Sequence, residues 1–348
     1  MTAAARTTLA AAIERRAPLL TGGDLDALRL VNGDGDGLPG FFVDRFADVL
    51  FVTVEDGALL AMLLGDLIAT LDPRAIYVKT LQREVRKSAK EDQKAALLHV
   101  RSGARKPATN AASDPEDPEI LVRERALRFL VRPRDGYSPG LFLDQRDNRA
   151  RAGELVLKFV QQRGACNVLN TFAYTCSFSV AAAKAGAAAK TDATHGVAVT
   201  SVDLSGRYLD WGRGNFTVNA LDSAKYEFAR GDALTFMEIA AKKGRRFELL
   251  ILDPPTFSTS KQTGVFQVER DYQRLFELAA RIAAPGAALL CSHNQRTFPR
   301  AALTQRIHDG AGDAKRRVAR LEPFAPPADF PGDEGENPAA RGVWVALD

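Results

Sequence analysis

Residues Phe247 to Lys261 read FELLILDPPTFSTSK, and the fold is decided there. A run from Glu248 to Leu252, apolar after its first residue, is closed by Asp253 and then by Pro254 and Pro255. Buried parallel strands end this way, because they are covered on both faces and read as short continuous apolar runs. The two prolines fix φ and cannot donate to a strand ladder, so the chain must leave the sheet at that point. In open α/β sheets ligands sit beyond the carboxyl ends of the strands, which puts Asp253 to Phe257 where chemistry is expected.

Working outward, the chain from about Pro133 alternates strand and helix. Strands are predicted at Asn167–Asn170, Val197–Asp203, Glu227–Asp232, Glu248–Asp253 and Ala287–Ser292. Helices are predicted at 176–188, 205–219, 233–243 and 271–284, the last stopped by Pro285-Gly286. This spacing implies a doubly wound, largely parallel α/β sheet. Two apolar runs, Val318–Leu321 and Val343–Leu347, are expected to pair antiparallel at its edge. Ahead of it, residues 28–132 read as a small α+β domain. Strands are predicted at Leu28–Val31, Phe41–Val43, Val49–Val54 and Ala75–Val78, a helix at Ala58–Leu71, and a hairpin at Leu121–Val131. Residues 106–119 read as an exposed linker. Residues 1–27 form a helical leader that lacks the apolar core of a signal peptide. Three segments result, 1–27, 28–132 and 133–348.

The chain has 348 residues, within the range of about two domains at roughly 100–200 residues each. No apolar run approaches the roughly 20 residues of a membrane span, so no membrane partner is expected. Three cysteines, Cys166, Cys176 and Cys291, are an odd number without metal spacing and suit a reducing cytoplasm. Between Lys79 and Arg134 lie 14 basic and 8 acidic residues, in a chain whose net charge is only +4. A front domain so biased is expected to face a polyanion, most simply nucleic acid.

The first crossover, Asn170 to Ser179 (NTFAYTCSFS), contains no glycine, which argues against a pyrophosphate lying on the helix that follows. Asp203 ends the second strand, where an acid accepts from two ribose hydroxyls. Asp232 and Asp253 end the third and fourth. Three acids at successive strand ends suit a cationic, nucleoside-containing ligand such as S-adenosylmethionine.

From Leu28 onward the chain resembles the large-subunit (23S) ribosomal RNA methyltransferases of the Rossmann-like class I fold. Asn32–Phe46 (NGDGDGLPGFFVDRF) and Leu141–Arg149 (LFLDQRDNR) are similar to segments shared by the cytosine-C5 and guanine-N7 branches. Too little chain precedes Leu28 for the small RNA-recognition domain often found in the cytosine branch. Residues 253–261 (DPPTFSTSK), 266–272 (FQVERDY), 292–298 (SHNQRTF) and 202–211 (VDLSGRYLDW) are similar to the guanine-N7 branch.

The resemblance implies an S-adenosylmethionine-dependent RNA methyltransferase whose partner is 23S ribosomal RNA or an assembling large subunit. Asn170, Phe172, Tyr174 and Thr175 would shape the cofactor floor. Asp203 would hold the ribose and Asp232 the adenine edge, with Asp144, Arg146 and Arg149 over the methionine end. Asp253 and the carbonyls around Pro254 and Pro255 would hold the base, and Phe257 would stack on it. Lys261, Arg270 and Arg296 are candidates for phosphate contacts. Cytosine C5 needs a cysteine thiolate, which in that branch follows a serine; here His293 follows Ser292, favouring guanine N7. The family usually carries Gly at the position of Cys176, so a side chain there is expected to crowd the cofactor's methionine end. Small-molecule or protein methyl transfer, and a non-catalytic RNA-binding relative, are the rival classes. The basic front domain argues against the first, and Cys176 motivates the second.

Overall fold

The computed structural model describes residues 2–80, 94–102, 119–135, 138–189, 196–260, 264–295, 297–332 and 341–348. Two compact units emerge. The first comprises residues 1–143 with the returning segment 327–333, and the second comprises 144–326 with 334–348. The first therefore extends past the division expected near residue 133, and it takes in the helical leader.

In the first unit, helices α1 (Thr2–Arg15) and α2 (Ala17–Thr21) precede strands β1 (Ala27–Asn32), β2 (Phe41–Phe46) and β3 (Val49–Val54). Helix α3 (Gly57–Leu71) leads to β4 (Ala75–Thr80) and β5 (Ala96–Val100), giving a sheet ordered β1-β2-β3-β4-β5. Only the α3 crossover joins parallel neighbours, β3 and β4; the other neighbours are antiparallel. Leu9, Ala12 and Ile13 of α1 and Leu60, Leu63 and Leu67 of α3 share one core with the sheet. Spacings of three and four put each set on one helix face. Strands β6 (Ile120–Glu124) and β7 (Leu127–Val131) form the expected hairpin. Strand β5 lies where only a basic stretch was read. Its Leu97, Leu98 and Val100 are exposed, so it lacks the alternation that signals a half-buried strand.

The glycine-rich turn after β1 has a structural explanation. Arg16, almost fully buried, donates through both terminal nitrogens to Asp36 at 2.6 Å and reaches the Asp329 carbonyl at 2.8 Å. Asn32 donates to the Pro331 carbonyl. A Cβ on Gly35 would lie 1.7 Å from that same oxygen, so glycine is required for the returning segment to pack. Of the basic residues proposed to face a polyanion, Arg83, Arg86, Lys87 and Lys90 lie outside the described residues. Arg123 pairs with Asp26.

The second unit opens with α4 (Arg146–Arg163) and then alternates β8 (Cys166–Thr171), α5 (Ser177–Ala188), β9 (Val197–Asp203), α6 (Gly206–Val218), β10 (Glu227–Arg230), α7 (Ala233–Lys242) and β11 (Phe247–Leu252). A hairpin, β12 (Phe257–Ser260) and β13 (Gly264–Gln267), precedes α8 (Val268–Ile282), β14 (Ala283–His293), α9 (Arg300–Asp313), β15 (Val318–Pro323) and β16 (Arg341–Leu347). The sheet order is β10-β9-β8-β11-β14-β16-β15, parallel from β10 to β14 and antiparallel beyond. The order turns back between β8 and β11, which is the switch point where doubly wound sheets bind ligands. Residues 318–323 and 341–347 pair antiparallel at the edge as expected.

Three elements of the second unit were not anticipated. The hairpin 257–267 is rich in Ser and Thr and shows no apolar alternation. Helix α4 begins inside the LFLDQRDNR segment, where clustered charges mask its apolar face. Helix α9 carries Gly310, an unfavourable helix residue. A Cβ there would lie 2.6 Å from the Gln273 carbonyl, so the glycine lets α9 approach α8 closely. Pro285 and Gly286, read as punctuation before a strand, lie inside β14, where its register against β11 shifts. Among the described residues no helix is long and apolar enough to cross a membrane.

Candidate active site

At the switch point β8 runs into Phe172, Ala173, Tyr174, Thr175 and Cys176. Phe172, Tyr174 and Cys176 all take left-handed backbone conformations, with φ of 53°, 50° and 62°. Side-chain-bearing residues pay for this geometry at about 1–3 kcal/mol each, so the surroundings must enforce it. Four hydrogen bonds do so. Ala173 N–H donates to the Val202 carbonyl, and Cys176 N–H to the Ala173 carbonyl. Tyr174 N–H donates to Asp203 Oδ2 at 2.8 Å. Asn215, buried on α6, donates to the Thr175 carbonyl at 2.9 Å.

Asp203 holds two loops at once, since its other oxygen accepts from Ser205 N–H at 2.8 Å. Burial pushes its carboxyl above the usual range, and the two backbone donors oppose that rise. Each carboxylate oxygen can take a second hydrogen bond. An acid whose orientation is fixed and whose outer lone pairs remain suits a ribose diol. Tyr208 packs edge-on against Tyr174 beside it, with ring centroids 4.5 Å apart. Asp232 caps α7, its Oδ1 accepting from Thr235 N–H and the Thr235 hydroxyl. With a fixed acid at each of two neighbouring strand ends, these residues fit S-adenosylmethionine.

The remaining cofactor candidates are placed differently. Asn170 is buried below the loop and donates to the Ser179 hydroxyl, which also accepts from Ser201. Its amide therefore joins the β8, β9 and α5 packing. Asp144 lies in a short 3-10 turn before α4, and Arg146 and Arg149 are buried in the first turn of that helix. Arg149 acts electrostatically on Asp253, so this arginine and this acid belong to one charge cluster.

Cys176 packs inward. Its thiol is fully buried, points toward the Tyr174 carbonyl, and is pushed up to about 12 by burial. The facing residue on α6 is Gly212, where a Cβ would lie 2.5 Å from Cys176 Sγ and 2.9 Å from its Cβ. The Cys176 side chain fills the space that this glycine leaves.

On the other side of the switch point, Asp253 Oδ1 accepts from the Ser292 hydroxyl at 2.6 Å. Burial raises the Asp253 carboxyl, opposed by Ser292 and Arg149. Tyr272, buried on α8, directs its hydroxyl at the Leu252 and Ser292 carbonyls, 3.1 and 3.4 Å away. It thereby ties the ends of β11 and β14 together from below. Ser292 and Tyr272 were not singled out as site residues in the sequence; each lay within a quoted motif without a role. Pro254 is buried, Pro255 is exposed, and Phe257 opens β12 half-buried. Arg270 pairs with Asp271 and donates to the Val265 carbonyl, bracing the hairpin. Lys261 and Arg296 lie outside the described residues.

The resemblance puts His293 at the position of the cytosine branch's cysteine; its ring is buried against Phe298 at 4.7 Å. Its Nδ1 accepts from Gln295 N–H, and burial with Arg341 nearby lowers its pKa to about 4. Cys291 is fully buried on β14, its thiol pushed far up by burial, and Cys166 is pushed up to about 12.

Two outcomes follow. If Cys176 and Gly212 share one volume, Gly212→Ala destabilises the wild-type background by about 1–3 kcal/mol. In the Cys176→Gly background most of that loss disappears, as a double-mutant cycle by chemical denaturation will read; equal losses in both backgrounds contradict the fit. His293 is neutral in the fold while the unfolded chain protonates near 6.5, so its contribution is complete above that pH. It is lost as pH falls from about 6.5 toward about 4, by at most about 3 kcal/mol. Stability curves of His293→Asn should be flatter than wild type over that window; parallel curves rule this origin out.

Comparison with known proteins agrees with this geometry. Residues 86–341 match the family model described as S-adenosylmethionine-dependent methyltransferase. The chain is 30% identical over 320 residues to Ribosomal RNA large subunit methyltransferase I of Aeromonas salmonicida, covering 91% of this chain and 73% of that protein. It is 34% identical over 181 residues to Ribosomal RNA large subunit methyltransferase K of Neisseria meningitidis, covering 52% of this chain and 47% of that protein. In fold it resembles SMU.776, crystallised with SAH, with a TM-score of 0.78 at 24% identity over 99% of this chain and 81% of the other. The sheet order, the acids at its strand ends and these matches agree: the chain belongs to the S-adenosylmethionine-dependent methyltransferase family.

Proposed function

We propose that this chain methylates N7 of a guanine in 23S ribosomal RNA, free or in an assembling large subunit, in the cytoplasm. The observation that carries this reading is the state of the three thiols. A cytosine C5 becomes nucleophilic only after a cysteine thiolate adds to C6. All three cysteines of the chain are buried and free, and burial raises each thiol, so none is poised as a thiolate. Guanine N7 already carries a lone pair, and catalysis there needs only placement. The names of the relatives above, all acting on large-subunit ribosomal RNA, support the substrate class.

Bound here, S-adenosylmethionine would offer N7 an electrophilic methyl carbon, its carbon–sulfur electron pair staying on sulfur, and no proton would have to leave. The protein's own residues then serve to bind and align. Asp203 takes the ribose, Asp232 the adenine edge, and Asp144, Arg146 and Arg149 the methionine end. Asp253, fixed by Ser292, and the carbonyls around Pro254 and Pro255 hold the edge of the base. Phe257 stacks on a base turned out of its helix, a contact worth roughly 1–3 kcal/mol. With nothing to deprotonate, Asp253 is a positioning group.

Ribosomal RNA from cells lacking the gene, incubated with enzyme and S-adenosylmethionine, should yield 7-methylguanosine by nucleoside mass spectrometry. Cys291→Ser should keep its rate within a few-fold. Formation of 5-methylcytidine, abolished in Cys291→Ser, overturns the reading.

A further inference from the structure

Above the sheet, a side-chain hydrogen bond joins the loops that leave β11 and β14. The Thr256 hydroxyl donates to Asn294 Oδ1 at 2.9 Å, across 38 residues of sequence. Both residues are exposed. Around this bond the loops are held elsewhere as well. Tyr272 ties the Leu252 and Ser292 carbonyls from beneath, and Ser292 holds Asp253 between them. Val268 N–H donates to the Thr256 carbonyl, so the residue that orients Asn294 is itself anchored.

The bond decides which polar atoms Asn294 presents. Its oxygen is taken by Thr256, which leaves both hydrogens of its exposed Nδ2 available, and neither meets an acceptor among the described residues. An exposed, oriented donor pair next to Asp253 and Phe257 selects for an acceptor on the base. The guanine edge that carries N7 also carries O6, and both are acceptors. The cytosine edge that carries C5 instead presents the N4 amino group, a donor. An amide donor facing that amino group has no partner, and unpaired polar groups are costly once water is excluded.

We infer that Asn294, oriented by Thr256, is a specificity residue that donates to guanine O6 and disfavours cytosine at this site. The inference rests on the guanine-N7 reading and adds the residue that recognises the base. While Asn294 holds O6, the N7 lone pair stays free for the methyl carbon. Thr256 touches no base; it is a positioning residue.

The test uses the full-length enzyme, ribosomal RNA from cells lacking the gene, and S-adenosylmethionine, with methylated nucleosides separated by mass spectrometry. Asn294→Asp keeps the shape but replaces the donors with acceptors. It should lower kcat/KM for 7-methylguanosine by about 100-fold or more, and Asn294→Ala by about tenfold. Thr256→Val should raise KM for RNA a few-fold. All three should bind S-adenosylmethionine as wild type does by calorimetry and melt within a few degrees of it, which separates recognition from folding. If Asn294→Asp makes 7-methylguanosine within twofold of wild type, the inference fails while the proposed function stands. Should wild type make 5-methylcytidine, both fail.

Discussion

One carboxylate holds the cofactor half of this protein together. Asp203 accepts Tyr174 N–H on one oxygen and Ser205 N–H on the other, tying the loop after β8 to the start of α6. The loop it holds contains three left-handed residues that carry side chains, a conformation with no local reason to persist. Asn215 secures the same loop from α6. The strain is held by the rest of the sheet, so the platform exists before any ligand arrives. An acid that already organises two backbones has its orientation fixed, and this suits it to recognise a diol by its remaining lone pairs.

The other side of the switch point uses the same device with different groups. Asp253 is fixed by the Ser292 hydroxyl, and Tyr272 fixes the carbonyls on which both residues depend. What differs is access: the loop after β8 is buried or half-buried, whereas Thr256 and Asn294 are exposed at the strand ends. Methyl transfer to a ring nitrogen needs alignment and no acid or base. Around the switch point all three thiols are buried, and the histidine that follows Ser292 is neutral and buried.

Much of the second unit was legible in the sequence. Short apolar runs ending in Asp203, Asp232 and Asp253 announce strand ends, and the helices between them leave only one sheet topology class. The resemblance supplied the cofactor, which three acids alone only suggest. Less legible were features that depend on tertiary contacts. Nothing in NTFAYTC shows that alternate residues adopt left-handed backbone, because only glycine advertises that conformation. Cys176 read as an obstruction because its partner, Gly212, lies 36 residues away in an apparently ordinary helix. Asn170 read as a cofactor residue because it ends a strand, but its amide points to Ser179. The hairpin after the two prolines has too little apolar alternation to be seen.

The central claim is that Cys176 belongs to an intact cofactor platform. Isothermal titration calorimetry of S-adenosylmethionine into the wild-type chain and Cys176→Gly tests it most directly. The account predicts one-to-one binding by wild type, with Cys176→Gly within about threefold in Kd, a difference under about 0.7 kcal/mol. Absence of binding by wild type, restored by Cys176→Gly, would contradict it.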